Sequence, residues 1–259
     1  MNILAIGAHP DDIELGCGGT MIKAAKAGHQ VFLYVLTRGD ASGDPVQRSK
    51  EAMRAAKFIG ARALWLDDFQ DTDLPLDRTL INHIEYFIHR AQADVIFTHC
   101  ADDYHHDHRS ISKATVEAGR FSRNIIAYEL PVTQNFEPQF HYDISDVLDK
   151  KVELISLFSS QREKLFTHAD AITGLSRYRA YQNRLTTTMK AVESFQVLRA
   201  CVDTEFKLIS SENGSVPAAV TKSLDLSHIL EFLPHAELLK LEDKIASLDS
   251  KILAESYKR

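Results

Sequence analysis

Five unbroken apolar runs of strand length, separated by helical patterns, constrain the fold of this chain more than any other feature. Residues 3–8, 30–36 (QVFLYVL), 63–66 (ALWL), 94–98 (DVIFT) and 124–130 (NIIAYEL) form these runs. None alternates strictly between apolar and polar, which suits strands covered on both faces, as in a parallel sheet. Helical patterns fill the gaps. Residues 18–27 stop at Gly28, and residues 46–59 lie between Asp44-Pro45 and Gly60, a start-and-stop pair that marks a helix. Residues 80–91 set Ile81, Ile84, Phe87 and Ile88 on one face, and residues 110–119 supply a fourth helix. This rhythm predicts an α/β fold: a Rossmann-like, doubly wound, mostly parallel sheet with helices on both faces. Its expected strand order is 3-2-1-4-5, with right-handed crossovers.

After residue 130 the pattern changes. Residues 131–142 read as loop with short extended pieces, and a helix is expected from Ile144 through Val152, Ile155 and Phe158. Residues 167–184 are polar with scattered aromatics, and residues 189–200 read as a further helix. Residues 210–216 (SSENGSV) read as a linker, so the expected division is a domain over 1–209 and a linker with a C-terminal helical extension over 210–259. In that extension Leu238, Leu241, Ile245, Leu248 and Ile252 recur at spacings of 3, 4, 3 and 4, a heptad seam. Two heptads are too few for an isolated coiled coil. The seam must dock either on its own domain or on a second copy, making a homo-oligomer.

Composition narrows the function. The chain has 259 residues, 44% hydrophobic and 25% charged, which is globular, and its net charge of −6 argues against nucleic acid as a partner. No run approaches the roughly 20 apolar residues of a membrane span, so no membrane insertion is expected. The N-terminal stretch lacks a basic leader region, and Cys17, Cys100 and Cys201 form no CxxC pair. Both traits suit a cytoplasmic protein with reduced thiols.

Two clusters carry chemistry: His9-Pro10-Asp11-Asp12-Ile13-Glu14, and His105-His106-Asp107-His108. Four of the 12 histidines (His99, His105, His106, His108) crowd into ten residues. In the predicted order, strands 1 and 4 are neighbours and the winding reverses between them. Loops at their carboxyl ends therefore meet at the switch point where such folds bind ligands. Two imidazoles and a carboxylate suit Zn²⁺ with a position left open for water, and His9, Asp12 and His108 can supply them. Zn²⁺ lowers the pKa of bound water to about 7, and Asp11 is the candidate base. His105 is the candidate donor to an oxyanion or leaving group. The same donor set fits a non-haem Fe(II) oxygenase, which keeps Fe²⁺ as an alternative metal. A non-enzymatic carbohydrate- or nucleotide-binding protein is a third class. Taken alone, HPDD also reads as a turn with an N-cap. Gly16-Cys17-Gly18-Gly19-Thr20 is not GxGxxG, because position 21 is Met, and its glycines suit a helix start packed close to the sheet.

Ala8-His9-Pro10-Asp11-Asp12, Gly16–Thr20 and His105-x-Asp107-His108 together resemble the PIG-L/LmbE-type zinc-dependent N-deacetylases. The resemblance spans about residues 1–200. It includes Thr37-Arg38-Gly39-Asp40, Arg48-x-x-Glu51, Ser160-Gln161 and Glu193-Ser194-Phe195. It implies His9, Asp12 and His108 as zinc ligands and Asp11 as general base. It implies His105 as the group serving the oxyanion and leaving amine, with Asp107 orienting and charging that histidine. Arg48, Asp40 and Asp71 fall where relatives contact the sugar. Asp40 stands where many members have Glu, and Asp71 sits among Asp67, Asp68 and Asp73. His106 replaces a common proline and, like His99, reads as a bystander. The implied reaction removes an N-acetyl group from a small amino sugar or glycoconjugate, releasing acetate and a free amine. Residues 167–184, with Arg177, Tyr178, Arg179 and Tyr181, are a substrate-facing loop or a plain surface connection.

Overall fold

The computed structural model describes residues 1–182 and 189–201. Its strands are β1 (Asn2–Gly7), β2 (Gln30–Thr37), β3 (Ala63–Phe69), β4 (Val95–His99), β5 (Ile125–Tyr128), β6 (Phe140–Asp143) and β7 (Val192–Arg199). Its helices are α1 (Asp12–Lys26), α2 (Pro45–Ile59), α3 (Arg78–Ala91), α4 (His106–Ala118), α5 (Leu148–Ser156) and α6 (Ala169–Gln182). One sheet has the order β3-β2-β1-β4-β5-β7-β6. The first five strands are parallel in the predicted 3-2-1-4-5 order, and β7 and β6 extend the sheet antiparallel.

The sheet is covered on both faces because successive side chains point opposite ways. Ile3 and Ala5 of β1 join one core with Ile13, Met21, Ala52, Ala56 and Leu154 from α1, α2 and α5. Leu4 and Ile6 join the other core with Leu80, Ile84, Phe87 and Ile111 from α3 and α4. Full burial of one such side chain stabilises by about 1.5–3 kcal/mol. On α3 the buried face uses Leu80 in place of Ile81, which is only half-buried. Asp44 caps α2 by accepting from the N–H groups of Val46 and Gln47, and Gly60 ends it at φ 81°.

Two expectations for the later chain are corrected. Residues 189–200 hold β7 rather than a helix, because both edges of that segment find partners, β5 on one side and β6 on the other. Such pairing overrides local helical tendency. Residues 167–184 are not a loop over their described part. Thr167 closes a 3₁₀ turn (Leu165–Thr167), and α6 follows, whose buried residues are only Ile172, Ser176 and Ala180. That narrow seam is why no apolar period announced the helix. The linker and heptad seam over 210–259 lie outside the described residues.

Helix α1 begins six residues before the expected 18–27 and breaks at Cys17 (φ −142°, ψ 19°). An unbroken helix would pair the Gly19 N–H with the Leu15 carbonyl. Here Glu193 Oε1 accepts from Gly19 N at 2.8 Å, and Lys151 Nζ donates to Leu15 O at 2.7 Å. The two side chains pair with each other at 2.6 Å, both buried. Glu193 also accepts from Thr20 N and Thr20 Oγ1. A buried ion pair is thus spliced into the break and fixes the short turn that carries Asp12. Gly16 is needed in that turn, since a Cβ there would lie 2.3 Å from the Tyr128 ring.

Candidate metal centre and active site

The loops after β1 and β4 meet, as the strand order requires. His9 Nδ1 and His108 Nε2 approach the same atom, Asp12 Oδ2, at 3.2 and 3.4 Å. All three side chains are buried. Donor atoms converge here in overlapping sets within 4.8 Å: His9, His105 and His108; Asp12, His99 and His108; and His9, Asp71 and Asp107.

Each imidazole is backed by a carboxylate on its far nitrogen. His9 Nε2 lies 2.8 Å from Asp71 Oδ1 and 3.2 Å from Asp107 Oδ2. His108 Nδ1 lies 3.2 Å from Asp103 Oδ1. Neither His108 nitrogen is aligned for a hydrogen bond, so both buried atoms stay unsatisfied. Carboxylate-backed histidines converging on one carboxylate oxygen are the arrangement that holds a divalent metal. Burial works against charge on His108, yet the Asp12 and Asp103 carboxylates push its pKa up to about 9. Burial likewise opposes charge on His9, and Asp12 with Asp107 carries it well above the usual range. The carboxylates demand positive charge. The raised pKa of both rings is one expression of that demand, and a bound divalent cation would be another.

Asp11 precedes α1 at φ 114°, a strained conformation for a non-glycine residue. Its side chain makes no cap hydrogen bond, so its carboxylate is left to face the pocket. Burial, with the Asp12 charge adding to it, raises the Asp11 pKa to about 7, against the pull of Arg48, His9 and Lys164. Glu14 is buried too, and burial with the nearby Asp11 and Asp12 charges pushes its pKa up to about 8.

His105 stands before α4 and its Nδ1 accepts from the Asp107 N–H at 3.3 Å. In that bond Nδ1 is the acceptor, so the neutral ring carries its proton on Nε2. Burial, then the His108 and His9 charges, lowers its pKa.

Asp107 meets His105 through its backbone N–H and its charge, which works to raise the His105 pKa, rather than through a carboxylate hydrogen bond. Its carboxylate accepts from Thr72 N (2.8 Å), Leu74 N (3.1 Å) and the His9 ring, and does not reach across to His105. A carboxylate on α4 is drawn to the row of open N–H groups in the 72–74 loop, and so it supports His9. Asp71 lines the pocket, but its oxygens are engaged by His9 and by Ala41 N. Arg48 is fully buried and donates to Gly39 O, Ser42 Oγ, Pro10 O and Asp11 Oδ1. It therefore holds the site's loops together. Asp40 is exposed and outside the pocket lining, where its neighbours Ala41 and Ser42 stand instead.

The sequence reading missed Asp103, whose carboxylate accepts from His105 N at 2.7 Å and Thr133 Oγ1 at 3.1 Å while facing His108. An Asp two residues before the histidine motif is an Asx-turn signal that marked it. His99 is also more than a bystander. It stacks on His108 at 4.1 Å and accepts the Ala8 N–H at 2.9 Å. His106 does point away, to the Leu74 carbonyl.

The cavity above these groups measures about 290 Å³, at the small end for ligand sites. Leu15, Leu130, Pro131, Val132 and Phe166 give it an apolar wall. Among the described residues, no helix is long and apolar enough to cross a membrane.

The family model for GlcNAc-PI de-N-acetylase, PIG-L, matches residues 4–119. The uncharacterized deacetylase YaiS of Escherichia coli is 34% identical over 152 residues, covering 56% of this chain and 82% of that protein. Diacetylchitobiose deacetylase of Thermococcus kodakarensis is 28% identical over 187 residues, covering 61% and 69%. Among solved structures, GalB, the 4-carboxy-2-hydroxymuconate hydratase of Pseudomonas putida KT2440, shares the fold. Its TM-score is 0.68 at 20% identity, covering 78% of this chain and 98% of that one. A hydratase on this fold means that the architecture alone does not fix the reaction; the family is shown by sequence kinship. The chain belongs to the PIG-L family of deacetylases.

Proposed function

We propose that this deacetylase is a zinc-dependent hydrolase that removes the N-acetyl group of an amino sugar or glycoconjugate, releasing acetate and a free amine. The observation that carries this reading is the convergence of His9 Nδ1 and His108 Nε2 on Asp12 Oδ2, directly beside the strained and buried Asp11. His9, Asp12 and His108 would hold the metal, with Asp71, Asp107 and Asp103 fixing the two rings from behind. The metal supplies a Lewis acid and a water whose proton leaves near neutral pH.

Asp11, whose pKa burial raises to about 7, is placed to act as general base toward a water in the site. His105 offers its Nε2–H to the oxygen on which negative charge develops. A donor fixed in advance in a dry site gains most there. The apolar wall of Leu15, Val132 and Phe166 receives the acetyl methyl, and Arg48 keeps Pro10, Asp11 and the 39–42 loop in register.

The test pairs two variants on a panel of N-acetylated sugars with metal content measured throughout. Asp11→Asn is expected to keep zinc and lose nearly all turnover, whereas His108→Ala loses zinc affinity itself. Full activity of Asp11→Asn would show that the base is wrongly assigned. Equal zinc retention by His108→Ala would remove that residue from the ligand set. T. kodakarensis diacetylchitobiose deacetylase supports an amino-sugar substrate by kinship.

A further inference from the structure

Strands β1 and β4 part where the metal loops begin, and one side chain bridges the gap. Their ladder pairs Ile3 with Val95, Leu4 with Ile96 and Ala5 with Phe97, and stops there. Three residues on, the Ala8 N–H donates to a side chain, His99 Nε2, at 2.9 Å. The Ala8 carbonyl is held from the other side, accepting from Thr37 N and Thr37 Oγ1, each at 2.9 Å. The residue that leads into His9 is thus fixed from both neighbouring strands.

The same imidazole supports His108. The two rings stack with centroids 4.1 Å apart and planes 12° from parallel. Tyr128 packs against His99 as well, at 4.9 Å, and is itself anchored by donating its hydroxyl to Ile6 O at 2.7 Å. His99 is fully buried.

Space alone does not call for histidine here, since phenylalanine would also offer a ring to both neighbours. Because Nε2 accepts, the ring proton sits on Nδ1, and that buried atom has no hydrogen-bond partner among the described residues. The lone pair given to Ala8 is what histidine adds. That lone pair also decides what His99 is not. Its Nε2 lies 3.5 Å from Asp12 Oδ2, close enough to form a donor set with Asp12 and His108. With the pair directed at Ala8, His99 stays out of the ligand set and His9 takes that place.

We propose that His99 is a positioning residue for the metal centre: it holds the peptide before His9 through Nε2 and the His108 ring by stacking, so that one side chain sets two ligands carried by separate elements. The inference rests on the metal reading above and adds the residue that fixes the two ligand-bearing segments relative to each other.

The two contacts can be removed one at a time. His99→Phe keeps a ring and loses the acceptor, whereas His99→Gln keeps an acceptor near the place of Nε2 and loses the ring. The readouts, on the full chain, are zinc affinity by competition with a chromophoric chelator, the visible spectrum of the cobalt-substituted protein, and urea unfolding without metal. Each variant is expected to bind zinc about 10–100-fold more weakly than wild type, as for other groups that orient metal ligands, and to shift the cobalt bands. A merely structural role would lower the unfolding midpoint and leave the zinc affinity of the folded chain and the cobalt bands unchanged; that result in either variant overturns the joint role. Should His99→Phe fail to fold, His99→Gln decides alone.

His108→Ala supplies the scale for loss of a ligand. An equal loss in the His99 variants would make His99 a ligand itself and reject the positioning role. If wild type binds zinc no better than His108→Ala, the metal reading fails and the positioning role falls with it.

Discussion

Replacing Lys151 by methionine tests the claim that a buried ion pair is spliced into helix α1. Methionine keeps most of the side-chain volume and removes the charge. Two groups then lose their partner. The Leu15 carbonyl, 2.7 Å from Nζ, is left bare at a helix break, at a cost of about 1–3 kcal/mol for a buried polar group. Glu193, 4% exposed, keeps its charge without a counter-ion. Breaking a buried pair from one side costs about 3–5 kcal/mol. That range already contains part of the carbonyl term. The Gly19 and Thr20 N–H groups at the restarted helix still stabilise the carboxylate, by roughly 0.3–2 kcal/mol. The expected loss is therefore about 3 kcal/mol. For a domain of this size each kcal/mol shifts Tm by roughly 2–4 °C, so Tm should fall by about 6–12 °C. Glu193→Gln should cost a similar amount from the other side. The double variant should cost less than the two singles summed, by about 0.5–3 kcal/mol, because the partners share one interaction. The assay is urea unfolding of the zinc-loaded chain for the two singles and the double, with zinc affinity measured in parallel. A Lys151→Met chain within ~0.5 kcal/mol of wild type, or strict additivity in the double, would refute the splice.

Asp103→Asn should weaken zinc binding by about 10–100-fold, because it removes the charge behind His108; competition against a chromophoric chelator measures this, and unchanged affinity would strip Asp103 of that role. Gly39→Ala places a Cβ 2.2 Å from the Arg48 guanidinium at φ 68°. It should destabilise by about 1–3 kcal/mol and depress kcat/KM at least ~10-fold by shifting Arg48 off Pro10 and Asp11, so wild-type kinetics would contradict the bracing role given to Arg48. Stripping metal with a chelator should abolish turnover, and adding back Zn²⁺ or Fe²⁺ in separate anaerobic samples should show which ion restores more. Full turnover by metal-free protein would reject the metal reading altogether.

The early half of the fold could be read because its signals are local. Unbroken runs such as QVFLYVL at 30–36 mark buried strands, and Asp44-Pro45 with Gly60 bounds α2. The later half could not. Residues 192–199 form a strand only because β5 and β6 lie on either side, and nothing within those residues announces two neighbours. The site divides in the same way. The residue types at His9, Asp11, Asp12 and His108 were evident, and the strand order brought them together. Which carboxylate backs which ring was not, since that depends on side-chain direction and on loops far off in sequence. Asp107 turned to His9 and the 72–74 loop, while Asp103 took the place behind His108.

By itself, then, the sequence determined the parallel core, the meeting of the β1 and β4 loops and the donor types that gather there, because periodicity and strand order are properties of the chain. Only the tertiary structure decided the antiparallel strands β7 and β6, the Lys151–Glu193 splice in α1 and the turn of Asp107 toward His9 and the 72–74 loop. Each depends on a partner that appears only when segments distant in sequence are packed together, as when Lys151 reaches both Leu15 and Glu193.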